Sequence, residues 1–377
     1  MDICRNFPEY FTVRSLAART STGKMDSLIR EFHPAFVSLT DQEASNRLRK
    51  NLSSQDQDLE VLGGEETLLD LVQDPEVDHV VIASSGISSI ASLIGAMKGH
   101  KEISLANKES LVVAGPWLDT ERKALWNRIR PLDSEHNAIW QCLLHEDQPW
   151  IRRIMLTASG GPFRDLPAQE FSAITPEKAL KHPKWNMGRK ISIDSATLMN
   201  KGIEILEAIF LFALPHSAVS AVIHPDSFIH GIVEFIDGSM KMVAGTPDMR
   251  IPAAICLSYP ERLDINRMTI PEPELVSHAP FLFQEPDQIR FPCLRIAQDV
   301  ARSMGPYPAL LIGADEVAVQ AFLDGRISFP EIPEKIETVL ESYNGPAPQG
   351  IEDAVSLVGW AKRTCSSLCG INRFSPN

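Results

Sequence analysis

The sequence predicts an α/β protein in which a doubly wound parallel sheet is followed by an α+β region and then by a helical bundle. Three observations support this. Short β-branched strands alternate with helical stretches at the start, longer strands flank one strong helix in the middle, and helical periodicity dominates after Cys293. A chain of 377 residues is long enough for two or three such domains.

The alternation of strands and helices covers residues 1–132. Apolar, β-branched segments at 11–18 and 78–85 are separated by helix-like stretches, and the pattern continues beyond residue 90. Residues 2–11 resemble the last turns of a helix that leads straight into a strand. We therefore expect the first strand and the glycine-rich phosphate turn, which usually open such a domain, to be missing from this sequence.

The domain boundaries after residue 132 follow from changes in strand and helix periodicity and in proline content. Residues 133–259 combine strands with a helix that is predicted to start after Asp194, which is typical of an α+β domain. Residues 260–290 are rich in proline and predict a linker without regular structure. Residues 291–377 have helical periodicity interrupted by glycine and proline, and they predict a closing helical bundle.

Composition excludes several classes of protein. The formal net charge is −13 and no segment concentrates Lys and Arg, so nucleic acid and anionic membranes are not expected partners. No apolar run reaches the roughly 18 residues of a membrane span, and the first residues lack the apolar core of a signal peptide. Six scattered cysteines favour a reducing compartment and a cytoplasmic location, with Cys365 and Cys369 taken as incidental thiols rather than a redox pair.

The first candidate site is the acidic segment PLDSEH at residues 131–136. In an extended segment, Asp133 and Glu135 at positions i and i+2 point to the same side, where they can share one ion. Carboxylate oxygens suit a hard divalent cation such as Mg²⁺ or Mn²⁺ better than zinc. A solvated acidic turn is the alternative.

The second candidate site is the predicted helix at residues 194–207, with Ser195 as its N-cap. Asn200, Glu204 and Glu207 recur on one helical face and form a polar stripe. Glu204 can complete a three-carboxylate site with the acidic pair. The donors near the helix start can hold a phosphate, namely Ser195, Asn200 and Lys201. A surface helix with an ordinary Lys201–Glu204 ion pair is the alternative.

Three more segments have the composition of ligand sites. TASGGPFR at 157–164 offers a hydroxyl and two glycines for close approach to a ligand, or it is a plain turn. HPKWNMGRK at 182–190 has the composition of a lid, or its His and Trp are structural. LANKES at 105–110 follows a predicted strand, where open α/β sheets bind ligands, and would present Lys108 to the cleft.

The segment HPDSFIH at 224–230 contains two histidines. We expect it to alternate as a strand, which places His224 and His230 on one face. Core histidines satisfied by their neighbours are the alternative to a functional pair.

The motifs occur together and in order. They are LANKES at 105, PLDSEH at 131, TASGGPFRD at 157, HPKWNMGRKISIDSATLMNKGIEILEA at 182, IHPDSFIHGIVEF at 223 and GTPDMRIPAA at 245. In this order they closely resemble the 1-deoxy-D-xylulose 5-phosphate reductoisomerase family, the NADPH-dependent enzymes of non-mevalonate isoprenoid biosynthesis. The resemblance covers essentially the whole chain.

The resemblance implies a fold and an assembly. It implies a homodimer whose subunit has a Rossmann-like NADPH-binding domain (1–132), a catalytic and dimerisation domain (133–259), a linker (260–290) and a C-terminal helical domain (291–377). It also implies a cation, Mg²⁺ or Mn²⁺, held by Asp133, Glu135 and Glu204.

The resemblance further implies roles for individual residues. The predicted substrate-binding residues are Lys108, Ser134, Glu135, Ser159, His182, Trp185, Ser195, Asn200, Lys201 and Glu204. The predicted catalytic residues are Lys108, Glu135, His182, Glu204, Glu207 and His230, with His136 as a further candidate for proton transfer. The predicted cofactor-binding residues are Arg19, Thr20, Ser21, Asn107, Glu109 and Gly188.

The predicted function is oxidoreductase chemistry that rearranges 1-deoxy-D-xylulose 5-phosphate and reduces the product to 2-C-methyl-D-erythritol 4-phosphate. Two departures from the family pattern stand beside it. The glycine-rich cofactor turn is not found, and Arg19-Thr20-Ser21 stands where a Gly, a basic residue and a small polar residue are usual. The alternatives are a remnant that binds metal and sugar phosphate without catalysis, and an isomerase that performs no reduction.

Overall fold

The computed structural model describes residues 1–52, 59–118, 125–181, 185 and 187–371. The chain forms two compact units. Unit 1 comprises Met1–Asn107, Asn127–Leu132 and Asp248–Ile270, and unit 2 comprises Lys108–Trp126, Asp133–Pro247 and Pro271–Asn377. The division into four segments that the sequence suggested stays a prediction.

The described residues contain both α-helices and β-strands along their whole length. The helices are α1 (Asp2–Asn6), α2 (Thr22–Phe32), α3 (Gln42–Asn51), α4 (Thr67–Gln73), α5 (Ile90–Lys98), α6 (Lys108–Leu118), α7 (Leu125–Arg128), α8 (Ser134–Leu143), α9 (Pro176–Ala179), α10 (Arg189–Thr197), α11 (Met199–Leu211), α12 (Arg250–Ser258), α13 (Pro292–Ser303), α14 (Tyr307–Leu323), α15 (Glu331–Ser342) and α16 (Ile351–Leu368). The strands are β1 (Ser15–Ala18), β2 (Phe36–Leu39), β3 (Glu60–Gly63), β4 (His79–Ile82), β5 (Glu102–Leu105), β6 (Ile129–Pro131), β7 (Ile151–Ala158), β8 (Val219–Ile223), β9 (Ile229–Phe235) and β10 (Met240–Ala244).

Unit 1 contains two three-stranded parallel sheets, with the strand orders β1-β2-β3 and β4-β5-β6. The central strands are the most apolar, because both faces are covered. Val37 and Leu39 on β2 and Ile103 on β5 have at most 1% of their surface exposed. The parallel strands joined by helices confirm the predicted α/β class, although the strands form two sheets rather than the one that was expected.

Unit 2 contains a mixed sheet with the strand order β10-β9-β7-β8, in which β9 runs antiparallel to both of its neighbours. Strand β9 is buried along its whole length because α8 packs on it. At Gly231 an added Cβ would lie 2.9 Å from Cδ1 of Ile139, so only glycine allows α8 to come this close. Strand β10 is the exposed edge, as its surface residues Met240 and Met242 show.

The helices of unit 2 pack into the bundle that the sequence predicted. Helix α14 lies at its centre and contacts α6, α10, α13, α15 and α16. Most residues of α14 are buried, which explains why its sequence is apolar on all sides. A Cβ at Gly313 would lie 2.5 Å from the carbonyl oxygen of Val358, so α14 and α16 meet backbone to backbone at this point. Among the described residues, none of the helices has both the length and the apolar character that crossing a bilayer requires.

The prediction of a single helix starting after Asp194 is wrong. Two helices, α10 and α11, meet at Leu198, whose φ of 61° is left-handed. The Thr197 hydroxyl accepts a hydrogen bond from the backbone N–H of Met199, so a side chain competes with the helical ladder at the junction. Ser195 therefore lies inside α10 and is not an N-cap; Gly188 takes that position.

Two predicted extended segments are also wrong. Asp133 is the N-cap of α8 and Glu135 lies in its first turn, because aspartate is a favoured residue at helix starts. The segment 224–230 is not a continuous strand, since β8 ends at Ile223 and β9 begins at Ile229. Pro225, which has no N–H, lies in the turn between the two strands.

Candidate functional site

Three carboxylates and two lysines come together in unit 2, and we call Asp133, Glu135, Glu204, Lys108 and Lys201 the carboxylate cluster. Asp133 and Glu135 come from the start of α8, Lys108 from the start of α6, and Lys201 and Glu204 from α11. Glu204 and Lys201 are buried, whereas 13% of the Asp133 side chain and 19% of the Glu135 side chain are exposed. A surface helix, the alternative for residues 194–207, is therefore wrong.

Each lysine bridges two carboxylates. Lys108 Nζ donates to Asp133 Oδ2 at 2.5 Å and to Glu204 Oε1 at 3.0 Å. Lys201 Nζ donates to Glu204 Oε2 and lies 3.4 Å from Glu135 Oε1. Two ammonium groups thus lie among three carboxylates, where their charge compensates most of the acidic charge.

Asn200 joins this arrangement from the first turn of α11. Its Oδ1 accepts a hydrogen bond from Lys108 Nζ at 2.9 Å, and its Nδ2 donates to Glu204. Like Ser195 on the other side of the helix junction, Asn200 is half-buried. The structure therefore places the amide beside the carboxylates, as the spacing on the helix predicted.

Burial and neighbouring charges shift the titration of the cluster. Burial raises the pKa of Glu135 to about 8; Lys201 opposes this shift, and Glu204 and Asp133 reinforce it. For Asp133 the effect of burial is outweighed by Lys108 and His136, which hold its pKa well below the usual range. Two neighbouring carboxyl groups thus differ in proton affinity, a pattern that often marks acid–base chemistry.

His136 and Glu207 form a buried pair behind the cluster. His136 Nε2 donates to the carbonyl oxygen of Glu204 at 3.0 Å and lies 3.5 Å from Glu207 Oε2. Burial alone lowers the pKa of His136, but Glu207 and Asp133 outweigh it and raise the pKa to about 9. Burial raises the pKa of Glu207 to about 7, with His136 opposing.

The ligand atoms of Asp133, His136 and Glu204 lie within 4.8 Å of one another, close enough to surround one metal ion. The sequence predicted Glu135 rather than His136 in this set. Three carboxylates with hard oxygen atoms fit Mg²⁺ or Mn²⁺, and the two lysines show that the site attracts positive charge. His136 Nε2 donates to the backbone carbonyl of Glu204, and the raised pKa keeps a proton on Nδ1 as well, so in this arrangement the imidazole offers no lone pair to a metal.

The serines predicted to bind substrate lie on three different elements, α8, the 159–161 turn and α10. Ser134 Oγ donates to Glu135 Oε2 at 2.8 Å, and Ser159 Oγ accepts from the backbone N–H of Gly161 at 3.2 Å. Gly161 has a φ of 71°, and a Cβ there would lie 2.7 Å from the carbonyl oxygen of Ser195. The 159–161 turn therefore packs directly on α10, and Ser159 and Ser195 are brought to neighbouring elements.

The two histidines of the predicted strand segment differ in surroundings. His224 Nδ1 donates to the carbonyl oxygen of Leu282 at 2.9 Å, and its ring stacks on Phe283. These contacts support the alternative for His224, a core histidine that is satisfied by its neighbours. His230 Nε2 donates to the carbonyl oxygen of Gly245 at 3.1 Å, and burial lowers its pKa against the effect of that bond.

The predicted cofactor residues are divided between the units. In unit 1, Arg19 and Thr20 follow β1, Ser21 is the N-cap of α2, and Asn107 Nδ2 donates to the carbonyl oxygen of Gly86 at 2.6 Å. In unit 2, Glu109 lies in the first turn of α6 and Gly188 is the N-cap of α10.

The predicted lid is described only in part. Trp185 and Met187 are half-buried. His182, Pro183, Lys184 and Asn186 lie outside the described residues. The lid, and the role of His182 within it, stay predictions.

Lys190 and Asp315 are a pair that the sequence did not reveal. Lys190 Nζ lies 2.6 Å from Oδ2 of both Asp194 and Asp315. The helices α10 and α14 are more than one hundred residues apart in the chain. An aspartate within the apolar sequence of α14 was the only available signal.

Family models match most of the chain. Residues 1–115 match the model described as 1-deoxy-D-xylulose 5-phosphate reductoisomerase. Residues 129–212 match the 1-deoxy-D-xylulose 5-phosphate reductoisomerase C-terminal domain, and residues 244–364 match the DXP reductoisomerase C-terminal domain.

Similar proteins carry the same name. The chain is 40% identical over 370 residues to 1-deoxy-D-xylulose 5-phosphate reductoisomerase of Thermodesulfovibrio yellowstonii, which covers 98% of this chain and 95% of the relative. It is 41% identical over 370 residues to the protein of the same name from Chlorobaculum tepidum, covering 98% and 96%.

Solved structures with a similar fold carry the same family name. A DOX-P reductoisomerase in complex with NADPH, fosmidomycin and magnesium is 34% identical with a TM-score of 0.89, covering 98% of this chain and 94% of that chain. The Zymomonas mobilis 1-deoxy-D-xylulose 5-phosphate reductoisomerase in complex with NADPH is 33% identical with a TM-score of 0.88, with the same coverage.

Proposed function

The chain belongs to the 1-deoxy-D-xylulose 5-phosphate reductoisomerase family, and from this premise we propose that its carboxylate cluster holds the divalent cation of the reaction. The protein is an NADPH-dependent oxidoreductase that rearranges 1-deoxy-D-xylulose 5-phosphate and reduces the product to 2-C-methyl-D-erythritol 4-phosphate. Its relatives are named for catalysis, which favours an enzyme over a remnant that only binds its ligands.

One observation carries the assignment of the site. Asp133, Glu135 and Glu204 approach one another through two bridging lysines, although α8 and α11 are far apart in the sequence. We assign these three carboxylates as the cation ligands. Magnesium is present in complexes of the similar structures, and Mn²⁺ is proposed as an equivalent ion because both prefer oxygen ligands.

When bound, the cation supplies positive charge that stabilises the developing negative charge on the oxygens of the substrate. With a cation among the carboxylates, Lys108 and Lys201 no longer need to bridge them, since the ion compensates the acidic charge. Lys108 is then available to donate to the sugar backbone together with Ser134. Lys201 is available to donate to the substrate phosphate.

The phosphate pocket is assigned to Ser159, Ser195, Asn200 and Lys201. Ser195 and Asn200 lie on the two sides of the α10–α11 junction, and Ser159 lies on the turn that packs on α10. The phosphate is remote from the reacting carbons, so its binding energy serves to orient them. Trp185 and His182 are assigned to the loop that covers the substrate and excludes water.

Proton transfer is assigned to groups with perturbed pKa values. Burial raises the pKa of Glu207 to about 7, so this group can accept and return a proton at physiological pH, whereas Glu135 belongs to the catalytic set as a ligand of the cation. His230 is proposed as a neutral proton acceptor through Nδ1, because burial lowers its pKa and its single N–H, on Nε2, donates to the carbonyl oxygen of Gly245. Lys108, His182 and Glu204 complete the proposed catalytic set by positioning the substrate oxygens.

NADPH binding is assigned to Arg19, Thr20, Ser21, Asn107, Glu109 and Gly188. The first three follow the carboxyl end of β1, and Asn107 follows that of β5, which is where parallel sheets bind nucleotides. The exposed guanidinium of Arg19 suits the 2′-phosphate that distinguishes NADPH from NADH.

The test of this function is a coupled measurement. The protein is incubated with 1-deoxy-D-xylulose 5-phosphate, Mg²⁺ and NADPH, and both NADPH absorbance and the sugar product are followed. The proposal predicts NADPH oxidation that requires substrate and metal. Accumulation of an aldehyde without oxidation would indicate an isomerase, and the absence of any product, with ligand binding intact, would indicate a binding protein.

A homodimer that pairs through the edge of the unit 2 sheet is also proposed. Met240 and Met242 are exposed on the edge strand β10, and Ile236 after β9 and Trp150 before β7 are exposed beside each other at one end of the sheet. Sedimentation should give twice the 41.8 kDa mass of the chain, and Met242→Glu should shift the protein towards the monomer. A wild-type protein that sediments as a monomer would overturn this assignment.

A cytoplasmic location is proposed as well. All six cysteines are free thiols, which suits a reducing compartment.

A further inference from the structure

Unit 2 contains a second buried group of charges, separate from the carboxylate cluster. Lys190 on α10 donates to Oδ2 of Asp194 on the same helix and to Oδ2 of Asp315 on α14, each at 2.6 Å. The aspartate side chains are 5% and 0% exposed, whereas the lysine side chain is 29% exposed. We call these three residues the clamp, because they join two helices.

The clamp contains more acidic than basic side chains. Two carboxylates share one ammonium group, and the Oδ1 atoms of Asp194 and Asp315 are both buried without a hydrogen-bond partner. Glu109 on α6 adds to the negative potential at both aspartates. Burying such a group is costly, and an apolar contact of the same size would usually join two helices with less desolvation. We therefore attribute this contact to the positioning of α10 on α14 rather than to added stability.

The position that the clamp defines is that of α10. Lys190 is two residues after Gly188, the N-cap of α10, and Asp194 immediately precedes Ser195. The carbonyl of Ser195 packs against Gly161, so a shift of α10 would also displace the turn that carries Ser159. Both serines of the assigned phosphate pocket thus depend on where α14 holds α10.

We propose that Lys190, Asp194 and Asp315 are positioning residues that hold α10 against α14 and thereby place the Ser195 hydroxyl for the phosphate of the substrate. This inference rests on the proposed function, because it requires a phosphate at Ser195. None of the three residues is among those assigned to the cation or to the sugar backbone, so we expect a defect in the clamp to lower the contribution of the phosphate to kcat/KM.

The test uses two variants at one buried position. Asp315→Leu and Asp315→Asn both remove the charge and keep four side-chain heavy atoms branched at Cγ, but only the asparagine keeps an oxygen that accepts from Lys190. For each variant, kcat/KM is measured with 1-deoxy-D-xylulose 5-phosphate and with unphosphorylated 1-deoxy-D-xylulose. The ratio of the two values isolates the contribution of the phosphate.

We expect the leucine variant to lower this ratio by about tenfold or more, because small displacements of a binding group are expensive, and the asparagine variant to keep it within about twofold. Ser195→Ala should remove the difference between the two variants if the clamp acts through Ser195. Equal ratios in the two variants, or a parallel loss with both substrates, would overturn the proposal.

Two controls distinguish a failure of the positioning proposal from a failure of the proposed function and from a variant that does not fold. If the wild-type protein turns over neither substrate, the proposed function fails, and this is distinct from a wild type that is active but insensitive to Asp315. If Asp315→Leu does not fold, as thermal unfolding would show, Lys190→Gln at the partly exposed end of the clamp is used instead. This shorter, uncharged side chain cannot reach both aspartates, so the same loss of the ratio is expected, and an unchanged ratio would overturn the proposal.

Discussion

The carboxylate cluster and the clamp are two buried groups of acids and lysines in the same unit, and they differ in what can reach them. In the carboxylate cluster, Asp133 and Glu135 keep part of their surface exposed and half-buried Asn200 lies beside them. In the clamp, both aspartates are buried and only the lysine is partly exposed to solvent. The first arrangement leaves oxygen atoms for a ligand, whereas the second uses them to join helices.

This difference shows that buried charge alone does not identify a catalytic site. Both groups include residues from α10 or α11, and both include acids whose pKa is raised by burial. What separates them is the exposure of the carboxylates and the number of helices that contribute them and their lysines. Substitutions that affect one group and spare the other test whether this difference in exposure separates the two roles.

The largest expected effect is that of Glu204→Gln in the carboxylate cluster. The substitution removes a charge that compensates two lysines and, in our assignment, a ligand of the cation. We expect metal-dependent turnover to fall by about a hundredfold to a thousandfold, since removing a single electrostatic contact in an active site costs about that much. Steady-state kinetics over a range of Mg²⁺ concentrations would measure this.

Glu234→Gln is the matched control. Glu234 is also a buried glutamate with two cationic partners, Arg152 and Arg153, but it lies on β9 outside the cluster. Its variant should keep turnover within about twofold of wild type, as substitutions away from a site usually do. Full activity of Glu204→Gln would contradict the assignment of the metal site.

An intermediate effect is expected for Gly161→Ala, at the turn that packs on α10. The residue has a positive φ, and the added Cβ would meet the carbonyl oxygen of Ser195 at 2.7 Å. Gly238→Ala has a similar φ of 85° but no atom within 4 Å of the added Cβ. We expect about 1 kcal/mol of lost stability for the alanine at 238 from its backbone alone, and a larger loss at 161.

Urea denaturation of both variants would measure these losses, and kcat/KM would show whether the phosphate pocket is affected. Only Gly161→Ala should lower kcat/KM, because only its Cβ displaces α10. Equal activity of the two variants would separate the 159–161 turn from the site.

The smallest effect concerns the clamp and pH. Burial, reinforced by Asp315 and opposed by Lys190, raises the pKa of Asp194 to about 7, and burial also raises the pKa of Asp315. A carboxyl whose pKa is higher in the folded state contributes stability below about pH 4, and loses that contribution as the pH rises through its folded pKa. Asp315→Asn removes one of the two acids and should weaken this loss.

We therefore expect the free energy of unfolding of Asp315→Asn to improve relative to wild type by about 1 kcal/mol as the pH rises from about 4 to about 7. Urea denaturation at both pH values would measure the difference. A variant whose stability follows that of the wild type at both pH values would show that the two aspartates do not interact.

Much of the site could be predicted from single segments. Asp133 and Glu204 were chosen as ligands of one ion because of their chemistry, and the structure brings them together through Lys108. For Asp133 and Glu135, only the predicted backbone conformation was wrong. The pair was treated as extended chain, but aspartate is a favoured N-cap and starts α8 there. The proposed ligand set survives this error because it depends on proximity rather than on backbone conformation.

The sequence alone determined the α/β class, the closing helical bundle and the family, because these depend on periodicity and on ordered motifs that are written along the chain. Three contacts depend instead on how distant segments pack: Lys201 lies beside two carboxylates, His136 lies within reach of Asp133 and Glu204, and Lys190 binds Asp315. The reason is physical. Periodicity reports which face of an element is buried, but the partner on the other side of that face belongs to a distant segment, and packing alone determines which charged groups meet there.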